Sequence, residues 1–155
     1  QARVNRGIAL VSSGRTAEGT AELQRAAREH PSMALPAERL GEALAAQNDH
    51  VKAAEAYLEA VRRETNNVAA RHRLAIELSK ADRMVEAEAQ FRRVIQERPN
   101  FLAARLDLGV ALAQRARFQE AIPEFEAVLK LQPTNTLVQG YLQKARAQVT
   151  PKGGQ

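Results

Sequence analysis

Metal or acid–base chemistry in this chain would draw first on three histidines, His30, His50 and His72, and on fifteen glutamates. There is no cysteine, which removes disulfide frameworks, thiolate zinc sites and cysteine nucleophiles together. No histidine has a second histidine or a carboxylate at the spacing of a metal site, and H-E-x-x-H is absent. Phosphate-cradling glycine loops and the G-x-S-x-G elbow are missing as well. His30 falls near the end of a helical stretch, where partial positive charge is favourable. His50 takes a turn position filled by Met84 and Phe118 further along, so packing is its expected role. The acidic residues read as solvated faces: Glu59–Arg63, Glu88–Arg92 and Glu126–Lys130 are i,i+4 pairs on helix exteriors. The expectation is a protein with no catalytic residue, no metal and no cofactor.

What would position functional residues is an array of helices. The chain has 155 residues, 45% hydrophobic but only 4% aromatic, and alanine is abundant while proline is scarce, a balance that favours helix over sheet. Its apolar runs fall far short of the ~20 residues that span a bilayer, so membrane insertion is not expected. Sliding the sequence against itself by 34 residues aligns Leu10, Leu44, Leu78 and Leu112. The same shift aligns Gly7, Gly41, Ala75 and Gly109, then Gly19, Ala53, Ala87 and Ala121. Leu23, Tyr57, Phe91 and Phe125 follow, with Ala26, Ala60, Val94 and Val128 behind them, and Pro31, Pro99 and Pro133 close three units. A period of this length marks stacked helix–turn–helix units.

Within each unit the apolar spacing predicts two helices, at about 34–47/51–64, 68–81/84–97 and 102–115/118–131. Ser13-Gly14, Asn48-Asp49, Asp82 and Arg115-Ala116-Arg117 supply the inner turns. Gly41 should face Ala53, and Gly109 should face Ala121, so that paired backbones approach closely. Residues 136–149 read as a capping helix with Gln139, Gln143 and Arg146 in water, and residues 150–155 as a flexible tail. The front end carries no such cap, so the array is expected to continue toward the N-terminus.

These positions resemble the tetratricopeptide repeat family. Leu108-Gly109, Leu112, Ala121, Phe125, Val128 and Pro133 match its pattern nearly completely. Residues 34–67 and 68–101 match almost as well, and residues 1–33 depart most, with Arg6 for the usual leucine and Gly19 for the usual alanine. The family's tryptophan position holds Arg3, Ala37, Arg71 and Arg105. The resemblance implies an all-α, right-handed superhelical solenoid: four units at 1–33, 34–67, 68–101 and 102–135, then the capping helix, together spanning 1–149. It also implies a non-catalytic scaffold whose first helices line a concave groove for a peptide or partner segment.

In such a groove the sixth repeat position points inward, which here gives Asn5, Arg39, Arg73, Asp107 and, on the capping helix, Tyr141. The preceding position adds His72. Arg39 and Arg73, on adjacent first helices roughly 10 Å apart, are expected with His72 to cradle a carboxylate through paired guanidinium hydrogen bonds. The competing reading is that Glu38 and Glu42 neutralise them. Val4 and Ile8 stand where chaperone-binding members carry lysine and asparagine, which argues against that carboxylate clamp. The net charge of +5 and the Arg62-Arg63 and Arg92-Arg93 pairs motivate a nucleic-acid-binding alternative. RNA-reading repeats need stacking side chains at fixed places, which this chain lacks, so a protein or peptide partner, acidic in character, is preferred. A structural or self-assembly segment of a larger secretion component or enzyme is the remaining alternative. Compartment and oligomeric state are not encoded in any of these features.

Overall fold

The computed structural model describes residues 1–149, so the expected tail at 150–155 lies outside the described residues. Among the described residues there is no strand, and the elements are α1 (Ala2–Ser12), α2 (Thr16–Glu29), α3 (Leu35–Ala46), α4 (His50–Arg63), α5 (Val68–Lys80), α6 (Met84–Glu97), α7 (Leu102–Gln114), α8 (Phe118–Leu131) and α9 (Thr136–Val149). The spacing of apolar residues therefore placed the helices to within a residue or two. α8 runs through Pro123 without interruption. By internal contacts the chain divides into two units, residues 1–90 and 91–155.

The inner turns are one motif used four times. The first helix of each pair ends on a residue of positive φ: Gly14 at 81°, Asn48 at 60°, Asp82 at 61° and Ala116 at 57°. The amide of the following residue then bonds a carbonyl five residues back, in Arg15→Leu10, Asp49→Leu44, Arg83→Leu78 and Arg117→Leu112. This closure satisfies carbonyls that the helix end would otherwise leave open. Glycine, asparagine and aspartate tolerate the left-handed region; alanine enters it only at a cost. The outer turns lean on side-chain caps instead, with Asn67 accepting from the Ala70 amide at 2.9 Å and Asn135 from the Val138 amide at 3.2 Å.

In the first unit the helix pairs close on their glycines. A Cβ on Gly7 would lie 2.7 Å from Leu23 Cγ, and one on Gly19 would lie 2.6 Å from Val11 Cγ2 and 2.7 Å from the Gly7 carbonyl. The departure at Gly19 is thus accounted for: α1 and α2 touch almost backbone to backbone, and Val11 fills what remains. On Gly41 the nearest atoms are those of the Tyr57 ring, at 3.0 Å, rather than Ala53. Leu23, Ala26, Leu40, Leu44 and Ala53 belong to one buried cluster. At the end of α4, Arg63 donates to the carbonyls of Ala27 at 3.1 Å and Met33 at 3.0 Å, so the tail of α2 is tied to α4.

The second unit repeats the arrangement with phenylalanine in place of tyrosine. Phe125, rather than Ala121, lies against Gly109, whose added Cβ would come within 2.6 Å of Cε1, and Tyr141 of α9 stacks on the ring at a centroid distance of 5.6 Å. Val138, Leu142 and Ala145 bury the inner face of α9, while Arg146 reaches back to Glu126 at 2.8 Å.

The arginines at the family's tryptophan position clasp three of the four pairs. Arg3 bonds Glu22 at 3.0 Å, Arg71 bonds Gln90 at 3.3 Å and Arg105 bonds Glu124 at 2.9 Å. Arg105 also donates to the Pro99 carbonyl at 2.8 Å, and Arg71 to that of Thr65, which pins the preceding loop. Glu124 is therefore not on a free exposed face, as its helical position alone suggests. In the second pair both clasp positions are alanine, Ala37 and Ala56, and both are buried.

Two outcomes test this packing. Gly109→Leu should destabilise by roughly 1–3 kcal/mol, because Tyr141 prevents the Phe125 ring from retreating, whereas Lys130→Ala on the exposed face of α8 should stay within about 0.5 kcal/mol of wild type. Ala116→Gly should raise stability by roughly 0.5–1 kcal/mol through relief of the left-handed strain, less the entropy glycine adds to the unfolded chain. Denaturant melts of the three variants provide the comparison.

Candidate functional site

Two groove candidates of the first unit, Arg39 and Arg73, lie within electrostatic reach of one hydroxyl. Tyr57 is buried in the α3–α4 pair, and its phenol lies within electrostatic reach of the Arg73 guanidinium. Burial pushes the phenol up to about 12, with Arg73 opposing the shift and Glu42 and Glu77 adding to it. Arg39 is also within electrostatic reach of this hydroxyl, and its Nη1 donates to Glu42 Oε2 at 2.7 Å. That hydrogen bond raises the Arg39 guanidinium above its ordinary range. Arg39 and Arg73 thus both lie within electrostatic reach of Tyr57, and Arg39 already has Glu42 as an intramolecular partner. Glu38 does not face Arg39 as its partner; it accepts from Asn67 Nδ2 at 2.6 Å. Asn5 is exposed on α1 and His72 is half-buried on α5.

Beside Arg39 and Glu42 lies a cleft of about 430 Å³ between α1 and α3, walled by Ile8, Val11, Leu23 and Ala43. Its rim carries both charges of the ion pair over an apolar floor. In the second unit Asp107 is half-buried on α7, and Tyr141 forms part of a second cleft, of about 360 Å³, with Val110, Phe118 and Phe125.

Two polar residues escaped the sequence reading. Glu77 is only 5% exposed and stands where the other pairs have Ala43 and Ala111. Its Oε2 lies 2.7 Å from His50 Nδ1 and its Oε1 accepts from Lys80 at 3.1 Å. His50 is therefore a hydrogen-bonding partner rather than simple packing, because only this pair offers its ring a carboxylate. The second is the Tyr57 hydroxyl, for which a signal did exist: tyrosine replaces the phenylalanine of the two later units. Among the described residues no group of three or more histidine and carboxylate side chains is arranged to hold a metal ion.

Helix pairs joined by left-handed turns, glycine against ring, with side chains of the first helices lining clefts, define a class of helical-repeat scaffold. Two family models described as the tetratricopeptide repeat match residues 4–68 and 78–148, and the chain belongs to that family. No curated protein matches the sequence. Among solved structures, a MamA crystal structure is 16% identical, with a TM-score of 0.88, over 94% of this chain and 80% of its own. YrrB, described as a TPR protein with an unusual peptide-binding site, is 21% identical with a TM-score of 0.80 over 94% of this chain and 75% of its own. A MamA fragment from Desulfovibrio magneticus RS-1 is 20% identical with a TM-score of 0.82, covering 94% and 82%. At these identities the likeness establishes the all-α repeat fold. Repeats of this family serve as protein-interaction modules, and no described helix is long and apolar enough to cross a membrane.

The His50–Glu77 contact can be tested by a mutant cycle. His50→Ala should cost about 1–3 kcal/mol by leaving a buried carboxylate short of a donor. Glu77→Ala, the residue other pairs use there, should cost less, and the double variant should match Glu77→Ala alone. Urea unfolding of the four proteins measures the coupling; strict additivity would mean that the pair does not interact.

Proposed function

We propose that this protein is a non-catalytic scaffold that binds a peptide or partner segment along its first helices, and that the segment is acidic where it meets Arg39 and Arg73. The observation that carries this reading is the cleft between α1 and α3, apolar at its floor and edged by the Arg39–Glu42 pair. Exposed ion pairs of this kind contribute only about 0–1 kcal/mol, so an incoming carboxylate can replace Glu42 at little cost. Arg73, exposed on α5 and within electrostatic reach of the Tyr57 hydroxyl, presents its planar donor fork to the same ligand. Asn5 and His72 extend the first-helix surface in this unit, as Asp107 and Tyr141 do in the second.

The test is a titration of a crosslinked and identified partner segment against wild type and four variants. Arg39→Ala and Arg73→Ala should each weaken binding by about 1–3 kcal/mol. Glu42→Gln should tighten it by removing the competitor. Arg62→Glu, on the second-helix side, should leave it nearly unchanged. Loss of affinity with Arg62→Glu alone would move the site to the opposite face and overturn the proposal.

A further inference from the structure

The cleft of the second unit differs from that of the first in one respect that decides its ligand: its cation has no counter-charge. Val110 and Ala113 of α7, Phe118 and Phe125 of α8 and Tyr141 of α9 form an apolar recess of about 360 Å³, and Lys144 stands at its edge. No carboxylate lines the recess. Asp107, a turn before Val110 on α7, is not among its walls. Lys144 is exposed and has no ion-pair partner among the described residues. By contrast Arg39 in the first cleft is held by Glu42 at 2.7 Å.

The floor is also closely packed. Phe125 is 1% exposed, set against Gly109 and stacked on Tyr141. The volume is near the lower end of ligand pockets, roughly 300–1,000 Å³, the scale of one or two side chains rather than a helix. An apolar side chain gains by leaving water there, and a carboxylate beside it meets an ammonium that needs no competitor displaced.

We infer that the α7–α9 cleft is a docking pocket for a peptide segment in which a bulky apolar side chain sits next to an acidic residue, the apolar group entering against Phe125 and Tyr141 and the carboxylate pairing with Lys144. The inference deepens the scaffold reading and rests on it. It assigns the second unit its own recognition element, independent of Arg39 and Arg73.

The experiment pans a displayed library of random dodecapeptides against the full chain, then titrates the enriched peptides as synthetic fluorescent probes. Enriched sequences should share an apolar residue flanked by an acidic one. Lys144→Glu should weaken them by roughly tenfold or more, the loss expected when a charge-assisted contact becomes a repulsion. Lys130→Glu, the same charge change on the exposed face of α8, should leave affinity within about twofold. Unchanged binding to Lys144→Glu, or enriched peptides lacking an acidic residue, overturns the inference. If those peptides instead lose affinity with Arg39→Ala and Arg73→Ala, the scaffold reading stands without it. If no peptide is enriched over the bare support, both fall.

Discussion

The structure depends on how closely two helices of a pair can approach. Where the first helix has glycine, the second lays a leucine or an aromatic ring directly over its backbone, as Leu23 does on Gly7, Tyr57 on Gly41 and Phe125 on Gly109. A single methyl group at these glycines would enter the space of the residue above. Everything outward follows from that contact. First-helix residues that stay outside this contact, Ile8, Arg39 and Glu42 among them, line the cleft of the first unit.

Closing the pair tightly demands an abrupt turn, and the left-handed residue at Gly14, Asn48, Asp82 and Ala116 provides it. It also brings the tryptophan position within reach of the second helix. Arginine there replaces a large apolar side chain with a long stem and a charged head. The stem packs while the head finds a carboxylate or amide across the pair and, in Arg71 and Arg105, a carbonyl of the preceding loop. Such residues join local structure to packing in a way that hydrophobic periodicity does not capture.

The fold was legible because the period of 34 fixes which residues share a face, and burial depends on little else. The inner turns and the helix limits followed, whereas Gly41 and Gly109 meet aromatic rings rather than the alanines expected opposite them. Side-chain partners did not, because they depend on what a neighbouring element happens to offer. Glu124 has the spacing of an exposed residue, but Arg105 reaches it across the pair. Glu126 has Lys130 one turn on, yet bonds Arg146 from α9. His50 has the register of a packing residue until Glu77 supplies an acceptor. In the groove, the reading that set Glu42 against Arg39 described the local geometry better than the open guanidinium pair, whereas Glu38 turned to Asn67.

The second helix pair, with Ala37 and Ala56 in place of the arginine and its acceptor, has a consequence for how such an array changes over generations. Introducing the arginine alone would set a half-buried cation against an alanine, and introducing the carboxylate alone would do the same with opposite sign, each at about 1–3 kcal/mol. Gln90, opposite Arg71, puts a neutral acceptor in the same place, so an amide is a stepping stone by which a clasp can be gained or lost one substitution at a time.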